Sequence, residues 1–126
     1  MNPKLKQILA LFLVELIILL PVTLVDALTI TNVRTEEITQ TTAKIRWDTN
    51  EVATEKVDYG LTQSLGQSAP SGNQRLLHDI RLTNLVPNTQ YHYQVVSGNS
   101  THTFIDNNSN NFYTFTPLPT TPLFVN

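Results

Sequence analysis

The residues best suited to chemistry are three histidines, His78, His92 and His102, which lie 14 and 10 residues apart. Ligands supplied by one local element stand much closer together, as in the His-x₃-His spacing of zinc sites. Alternation places His78 on the same strand face as Ile80 and Leu82, where we expect it to be half-buried and hydrogen-bonded, and places His92 on the outward side. We therefore predict no metal site.

Motifs for other chemistries are also missing from the sequence. It has no glycine-rich phosphate loop, no Gly-x-Ser-x-Gly elbow and no Asp-x-Asp-x-Asp calcium loop. It has no cysteine, which excludes a disulfide, a thiol nucleophile and a cysteine metal site. The run Asp106–Asn111 offers oxygen ligands for weak Ca²⁺ binding, but a polar hairpin loop explains it better. We predict that the chain is not an enzyme and has no catalytic residue and no cofactor.

Two triplets are acceptors for N-glycosylation: Asn99-Ser100-Thr101 and Asn107-Asn108-Ser109. Both fall in a predicted long polar loop, residues 98–111, where a sugar would not disturb a core. Such triplets also arise by chance in asparagine-rich loops, and modification depends on the host. Asn99 and Asn107 are thus the predicted modification sites.

Charge and composition narrow the class of protein. The 126 residues carry a formal net charge of −2, with no block of like charges. A nucleic-acid binder would normally show a basic patch, so we predict no nucleic-acid partner. Low charge with abundant Thr, Ser and Asn is typical of a β-rich extracellular surface, and the length suits one small domain plus an appendage.

The first 27 residues have the layout of a secretory signal peptide. Lys4 and Lys6 precede an apolar run, Pro21 ends it, and residues 25–27 offer a cleavage site after Ala27. Cleavage there would leave 99 residues, about the size of one β-sandwich domain. The chain is therefore predicted to be secreted or on the cell surface.

Two alternatives remain for this segment. An uncleaved membrane anchor could span residues 5–25, although Glu15 in its middle would cost about 2.5–3.5 kcal/mol. The stretch from Ala10 to Ile17 also resembles the N-terminus of type IV pilin-like subunits, which implies cleavage after Ala10 and pairing of Glu15 with a neighbouring subunit. Ala in place of the usual Gly, and Pro21 so soon after, depart from that family.

The remaining residues predict strands, because apolar side chains recur at every second position between turn signals. Ile45 and Trp47 share one face of the clearest strand, and Val57 points inward from the next. A lone tryptophan in this pattern is far more often core than a binding platform. The predicted strands are residues 28–33, 41–48, 53–59, a short edge strand within 61–73, 74–82, 89–97 and 112–116, and a turn is predicted at 48–51.

The stretch from Leu82 to Tyr93 predicts a corner between two strands. Leu85 is an apolar anchor, residues 86–89 form a turn, and Tyr91 can bury its ring while its hydroxyl bonds the backbone upstream. This string, Leu-x-Pro-x-Thr-x-Tyr-x-Tyr, resembles the fibronectin type III family, which implies a seven-stranded antiparallel Greek-key β-sandwich preceded here by a hydrophobic helix. The predicted core is Trp47, Tyr91, Leu85, Val57 and Ile45.

A second motif refines the resemblance. The run from Trp47 to Glu51, followed by Val57, Tyr59 and Gly60, is similar to the type III domains of prokaryotic surface proteins and of the segment ahead of metallophosphatase catalytic domains. The implied organisation is a signal peptide or anchor at 1–27, a type III domain at 28–117 and a Pro/Thr-rich tail at 118–126.

These features predict a secreted or cell-surface, non-catalytic binding or adhesion module. Its expected partner is a surface protein or a glycan, with self-association also open, and it would meet a membrane only through its N-terminal segment. Two alternatives are a structural subunit of an extracellular filament or surface layer, and an accessory N-terminal domain of a metallophosphatase-like protein.

Overall fold

The computed structural model describes residues 1–9 and 26–122. Residues 3–9 are helical, and within the described residues no helix has the length and apolarity to cross a membrane. The predicted pilin-like features, Ala10 and Glu15, lie outside the described residues, as does most of the predicted anchor. The nature of the N-terminal segment therefore stays a prediction.

Strands make up most of the domain, which confirms the predicted all-β class. The described part contains six strands rather than the predicted seven, so the strand count was wrong. They are β1 (Ile30–Glu36), β2 (Ala43–Gly60), β3 (Gln67–Leu82), β4 (Tyr91–Gly98), β5 (Thr103–Asp106) and β6 (Tyr113–Phe115).

All strand pairs are antiparallel, and the sheet curls into two layers because β2 and β3 are long enough to take part in both. The first half of β2 lies between β1 and the end of β3, with Ile45 opposite both Thr35 and Ile80. Its second half lies between the start of β3 and β4, with Val57 opposite both Ala69 and Val95. This arrangement confirms the predicted antiparallel sandwich.

The passage of β2 from one layer to the other replaces the turn that we predicted at residues 48–51. Asp48 pairs with Leu77 and Ala53 with Arg75, so four residues, Thr49–Val52, stand opposite a single residue of β3. We call Thr49–Val52 the β2 excursion. Extra residues in one strand bend it and increase its twist. Two predicted strands are joined into one for this reason.

A similar merger explains the rest of the strand count. The predicted edge strand and the strand at 74–82 form one continuous β3, with Pro70 on its open edge, where a missing N–H costs nothing. The polar residues from Arg34 to Glu36 belong to β1, although the sequence predicted that this strand ends at Val33. Pairing with β2 extends β1 past its apolar pattern.

The core lies between the layers and follows the alternation of the strands. Ala43, Ile45 and Trp47 are buried from the first half of β2, and Val57 and Tyr59 are buried from its second half. The residues predicted to form the core, Trp47, Tyr91, Leu85, Val57 and Ile45, all lie in one buried cluster with Phe115 and Tyr93.

The corner between β3 and β4 has the geometry that the sequence implied. The Tyr91 ring is buried, and its hydroxyl accepts a hydrogen bond from the Val86 backbone N–H at 3.0 Å. Asn84 and Asn88 adopt left-handed φ values of 57° and 52°, which Asn tolerates better than most residues. The corner is tied to the tail by the Asn88 N–H, which donates to the Pro117 carbonyl at 3.1 Å.

The predicted loop at 98–111 was wrong in its middle, because β5 forms there and pairs with β4. A left-handed turn follows, with positive φ at Asn108, Ser109 and Asn110, and it places β6 beside the other end of β4. β4 thus pairs with β5 at one end and with β6 at the other. The first residue of the predicted tail is hydrogen-bonded to the domain, since the Leu118 N–H donates to the Thr39 carbonyl at 2.9 Å.

Candidate functional site

A polar cluster is buried where β2 changes layers. The Trp47 indole N–H donates to Ser97 Oγ at 2.8 Å, and the indole stacks on the His78 ring with centroids 4.9 Å apart and planes 12° apart. All three side chains are buried. The only tryptophan of the sequence is therefore satisfied at its one polar atom and is part of the core.

His78 is held from both ring nitrogens. Its Nε2 lies 2.8 Å from Thr49 Oγ1, and its Nδ1 lies 3.3 Å from Glu55 Oε2. An ionised carboxylate only accepts hydrogen bonds, so Nδ1 carries the proton and the Thr49 hydroxyl donates to Nε2 when the ring is neutral.

Protonation of the ring would reverse the role of the Thr49 hydroxyl. An imidazolium donates from both nitrogens, so Thr49 would accept from Nε2 and give its own proton to the Glu51 carbonyl, which lies 2.8 Å away. Burial lowers the pKa of His78, an effect that hydrogen bonding and charge attraction from Glu55 oppose. The neutral ring is thus the form that the core favours.

The cluster is closed to large molecules. The side chains of His78 and Glu55 are 0% and 1% exposed, respectively. Glu55 also lies 3.7 Å from the Arg75 Nε and accepts a hydrogen bond from Asn73 at 3.4 Å. A general acid or base must come within hydrogen-bond reach of its substrate. The polar atoms of His78 and Glu55 are instead hydrogen-bonded to other residues of the domain.

Arg75 links this cluster to the outer surface of the layer formed by β1, the first half of β2 and the end of β3. We call this surface the charged face. Lys44, Arg46 and Asp48 point outward there because they alternate with buried residues of β2. The charged face consists of Arg34, Glu36, Glu37, Lys44, Arg46, Asp48, Arg75, Asp79 and Arg81.

Ion pairs on the charged face form both within strands and between them. Arg34 Nε and Arg46 Nη1 contact the two oxygens of Glu36 at 2.7 and 3.1 Å. On β3, Arg75 pairs with Asp79 at 3.0 Å. A groove of about 270 Å³ opens between these pairs, lined by three arginines, two aspartates, Leu77 and His78.

The other two histidines, His92 and His102, do not lie in a cluster with His78. Within residues 1–9 and 26–122, no three His, Asp or Glu side chains are grouped so that they could hold a metal ion. His92 lies on β4 opposite Thr114, and His102 is exposed in the turn before β5. The structure thus separates the three residues on which a metal site would have depended.

The oxygen-rich run after β5 is occupied by its own hydrogen bonds. Asp106 accepts from the Asn108 N–H at 3.0 Å and from the Tyr113 hydroxyl at 3.1 Å. Asn107 accepts from the Asn110 N–H and donates to its side chain, both at 3.0 Å. These side chains shape the left-handed turn.

The two predicted glycosylation sites lie in different turns, because β5 separates them. Asn99 accepts three hydrogen bonds in the turn between β4 and β5 and donates to Glu51 Oε1 at 2.7 Å. Asn107 lies in the turn between β5 and β6, and the side chains of Asn99 and Asn107 are both half-buried. Neither position is a freely projecting asparagine.

The predicted cleavage site at Ala27 is attached to the β2 excursion. Its carbonyl accepts from the Asn50 side chain at 3.1 Å, and the Thr29 N–H donates to the same side chain at 2.8 Å. Leu28, which would be the new N-terminal residue, is buried. The junction of the predicted leader and the domain is therefore integrated into one end of the sandwich.

Comparison with known proteins agrees with this architecture. The family model for the purple acid phosphatase N-terminal domain matches residues 29–116. No curated protein sequence matches the chain. Among solved structures, a computationally redesigned β-sandwich protein is 25% identical, with a TM-score of 0.52 over 71% of this chain and 94% of that chain.

Two natural structures share the fold at lower identity. The FN1–FN3 domains of chicken CNTN1 are 20% identical, with a TM-score of 0.55 over 71% of this chain and 30% of that one. The fibronectin type III domain of human KIAA0970 is 18% identical, with a TM-score of 0.54 over 77% and 78%. The resemblance inferred from the corner motif is confirmed, and this chain belongs to the family of purple acid phosphatase N-terminal domains, which has a fibronectin type III-like fold.

Proposed function

We propose that this chain is a non-catalytic binding module that works outside the cytoplasm, either secreted or on the cell surface, with the charged face as its contact surface. The observation that carries the proposal is the contrast between its two polar regions. His78 and Glu55 are enclosed and hydrogen-bonded, whereas the side chains of Arg34 and Arg46 remain 44% and 38% exposed. Groups that serve the fold are inside, and groups free to meet a partner are outside.

The enclosure of the buried cluster supports a non-catalytic role. A nucleophile or general base has to contact the reacting atoms, and the His78 side chain is 0% exposed, stacked on Trp47 and bonded at both nitrogens. The description of the matched family as an N-terminal domain points the same way, because it separates this unit from the phosphatase activity in its name.

A second candidate function follows from that family match: an accessory domain that packs against a metallophosphatase catalytic unit. The charged face would then contact a catalytic domain rather than a surface protein or glycan. Arginine is enriched at protein interfaces, and inter-domain contacts tend to be polar. Both candidates use the same surface and differ in the partner.

Export can be tested by expressing the full chain in a secreting host and measuring the intact mass of the product. We expect secretion with Leu28 as the first residue, and any added sugar mass would indicate glycosylation, for which Asn99 and Asn107 are the predicted positions. Recovery from the cytosol with Met1 intact would contradict an extracellular role. An N-terminus at Leu11 would instead support the filament alternative.

A further inference from the structure

We propose that the charged face docks a protein segment that presents carboxylates around an apolar side chain. The inference rests on the proposed binding function and names the partner class for that surface. It comes from the register of the strands, which sets two pairs of like charges, Arg34 with Arg46 and Lys44 with Arg81, directly opposite each other.

Arg34 of β1 stands directly opposite Arg46 of β2. Like charges at directly opposed positions of antiparallel strands destabilise a sheet. A single carboxylate offsets this pair, since one oxygen of Glu36 binds Arg34 and the other binds Arg46. The two guanidiniums therefore share Glu36 as their ion-pair partner, while Asp79 of β3 stands opposite Arg46 on its other side. Each guanidinium has more N–H donors than Glu36 occupies.

The same arrangement recurs one step along the layer. Lys44 stands directly opposite Arg81, and Glu37 bridges the two through its two oxygens. Hydrogen bonds from Lys44 and Arg81 lower the pKa of Glu37 and so favour its ionised form. Repetition of the motif makes the charged face a surface on which an incoming carboxylate relieves repulsion.

The distribution of charge over the domain also favours an acidic partner at the charged face. The charged face holds five cations and four carboxylates, whereas the rest of residues 26–122 holds one cation, Lys56, and five carboxylates. Those carboxylates are Asp26, Glu51, Glu55, Asp58 and Asp106. An acidic partner would be steered toward the charged face and repelled elsewhere.

The groove identifies the partner as a protein rather than an anionic polysaccharide. Leu77 lines it between Arg75 and Asp79 and is 69% exposed. A sugar polymer with sulfate or carboxylate groups gives an isolated leucine little to contact, whereas a protein segment can cover it with an apolar side chain. Arginines around an apolar centre are also the usual composition of a protein interface.

The test measures binding of the full chain to three polymers at low ionic strength by calorimetry. The probes are a random copolymer of glutamate and tyrosine, polyglutamate and heparin. We expect the copolymer to bind most tightly and the affinity to fall as salt is added. The double variant Arg34→Gln/Arg46→Gln should weaken binding by about tenfold or more, which corresponds to about 1.4 kcal/mol.

Two further variants assign the contact. Lys56→Gln removes a cation of similar exposure, 40%, on another surface and should change the affinity less than about twofold. Leu77→Ser should weaken binding of the copolymer but not of polyglutamate. Each variant is checked by circular dichroism, and the double arginine variant should fold because it removes a repulsive pair.

Several results would overturn the inference. They are no binding of the copolymer, equal losses for Lys56→Gln and the double variant, and tighter binding of heparin than of the copolymer. None of them bears on export or on the absence of catalysis, which the mature N-terminus and an activity assay test separately. Failure of the partner assignment and failure of the proposed function can thus be told apart.

Discussion

Trp47 and His78 stack in the core with their ring centroids 4.9 Å apart. They are directly opposed residues of β2 and β3, beside the point where β2 crosses between the layers. Because His78 is also bonded to Thr49 of the β2 excursion, its protonation state is coupled to the packing at this end of the sandwich. The stability of the domain therefore depends on the protonation state of His78.

The first prediction concerns pH. Burial lowers the pKa of His78 below its ordinary value of about 6.5, so the unfolded chain binds the proton more readily than the folded one. Arg75 acts in the same direction, while Glu55 and Asp48 oppose it. The free energy of unfolding should be unaffected by His78 above pH 7 and should fall on acidification below about pH 6.5, by at most about 1.4 kcal/mol per pH unit for one proton.

Urea unfolding at several pH values measures this effect, and the His78→Gln variant is its control. Glutamine can hydrogen-bond to Thr49 or Glu55 but does not titrate. The variant will be less stable than the parent near neutral pH. Its free energy of unfolding should depend less strongly on pH below 6.5 than that of the parent. Identical slopes for the two proteins across that range would refute the assignment.

The second prediction concerns the corner. Tyr91→Phe keeps the buried ring but leaves the Val86 N–H without its acceptor. We expect a loss of about 1–3 kcal/mol in the free energy of unfolding. Tyr59→Phe is the matched control, because Tyr59 packs in the same aromatic cluster and its change leaves the corner bond in place. A loss equal to that of Tyr59→Phe would mean that the hydrogen bond contributes nothing.

The third prediction compares two glycines. A Cβ on Gly60 would lie 1.8 Å from the Leu65 carbonyl oxygen, a distance that only movement of the backbone could relieve. Gly60→Ala should therefore destabilise the domain by about 2 kcal/mol or more. Gly72→Ala meets no atom within 4 Å and should stay within about 0.5 kcal/mol of the parent. Thermal unfolding of both variants checks the close turn after β2, and similar melting temperatures would argue against it.

The fourth prediction tests the like-charge pair on the charged face. Glu36→Gln removes the anion between Arg34 and Arg46 and should cost from a few tenths to about 1 kcal/mol at low ionic strength. Added salt should shrink the difference, because these side chains are exposed enough to be screened. Asp26→Asn, an exposed carboxylate away from this face, is the control. A cost that persists in high salt would point to lost packing rather than to charge.

Local alternation in the sequence was enough to predict the inward residues of β2, since Ile45, Trp47 and Val57 each follow the two-residue period. The corner was predictable for a similar reason: Pro87, Tyr91 and their spacing act within one short stretch. These features depend on neighbours in the chain.

Register could not be predicted in the same way. The β2 excursion reads as a turn in the sequence, because only its pairing with β3 shows that the strand continues beyond it. Arg34 and Arg46 are ordinary outward residues until β1 and β2 are aligned, so the like-charge pair gives no local signal. The binding surface that we propose depends on these non-local contacts.

The most direct test of the account measures phosphate-ester hydrolysis by the purified full chain. The assay uses p-nitrophenyl phosphate with Fe³⁺, Zn²⁺ or Mn²⁺ added, and the His78→Gln and Glu55→Gln variants are run in parallel. We expect no turnover above the protein-free rate for any of the three proteins, because His78 and Glu55 are buried and hydrogen-bonded within the domain. Saturable hydrolysis that follows the chain through purification and is lost in either variant would contradict it.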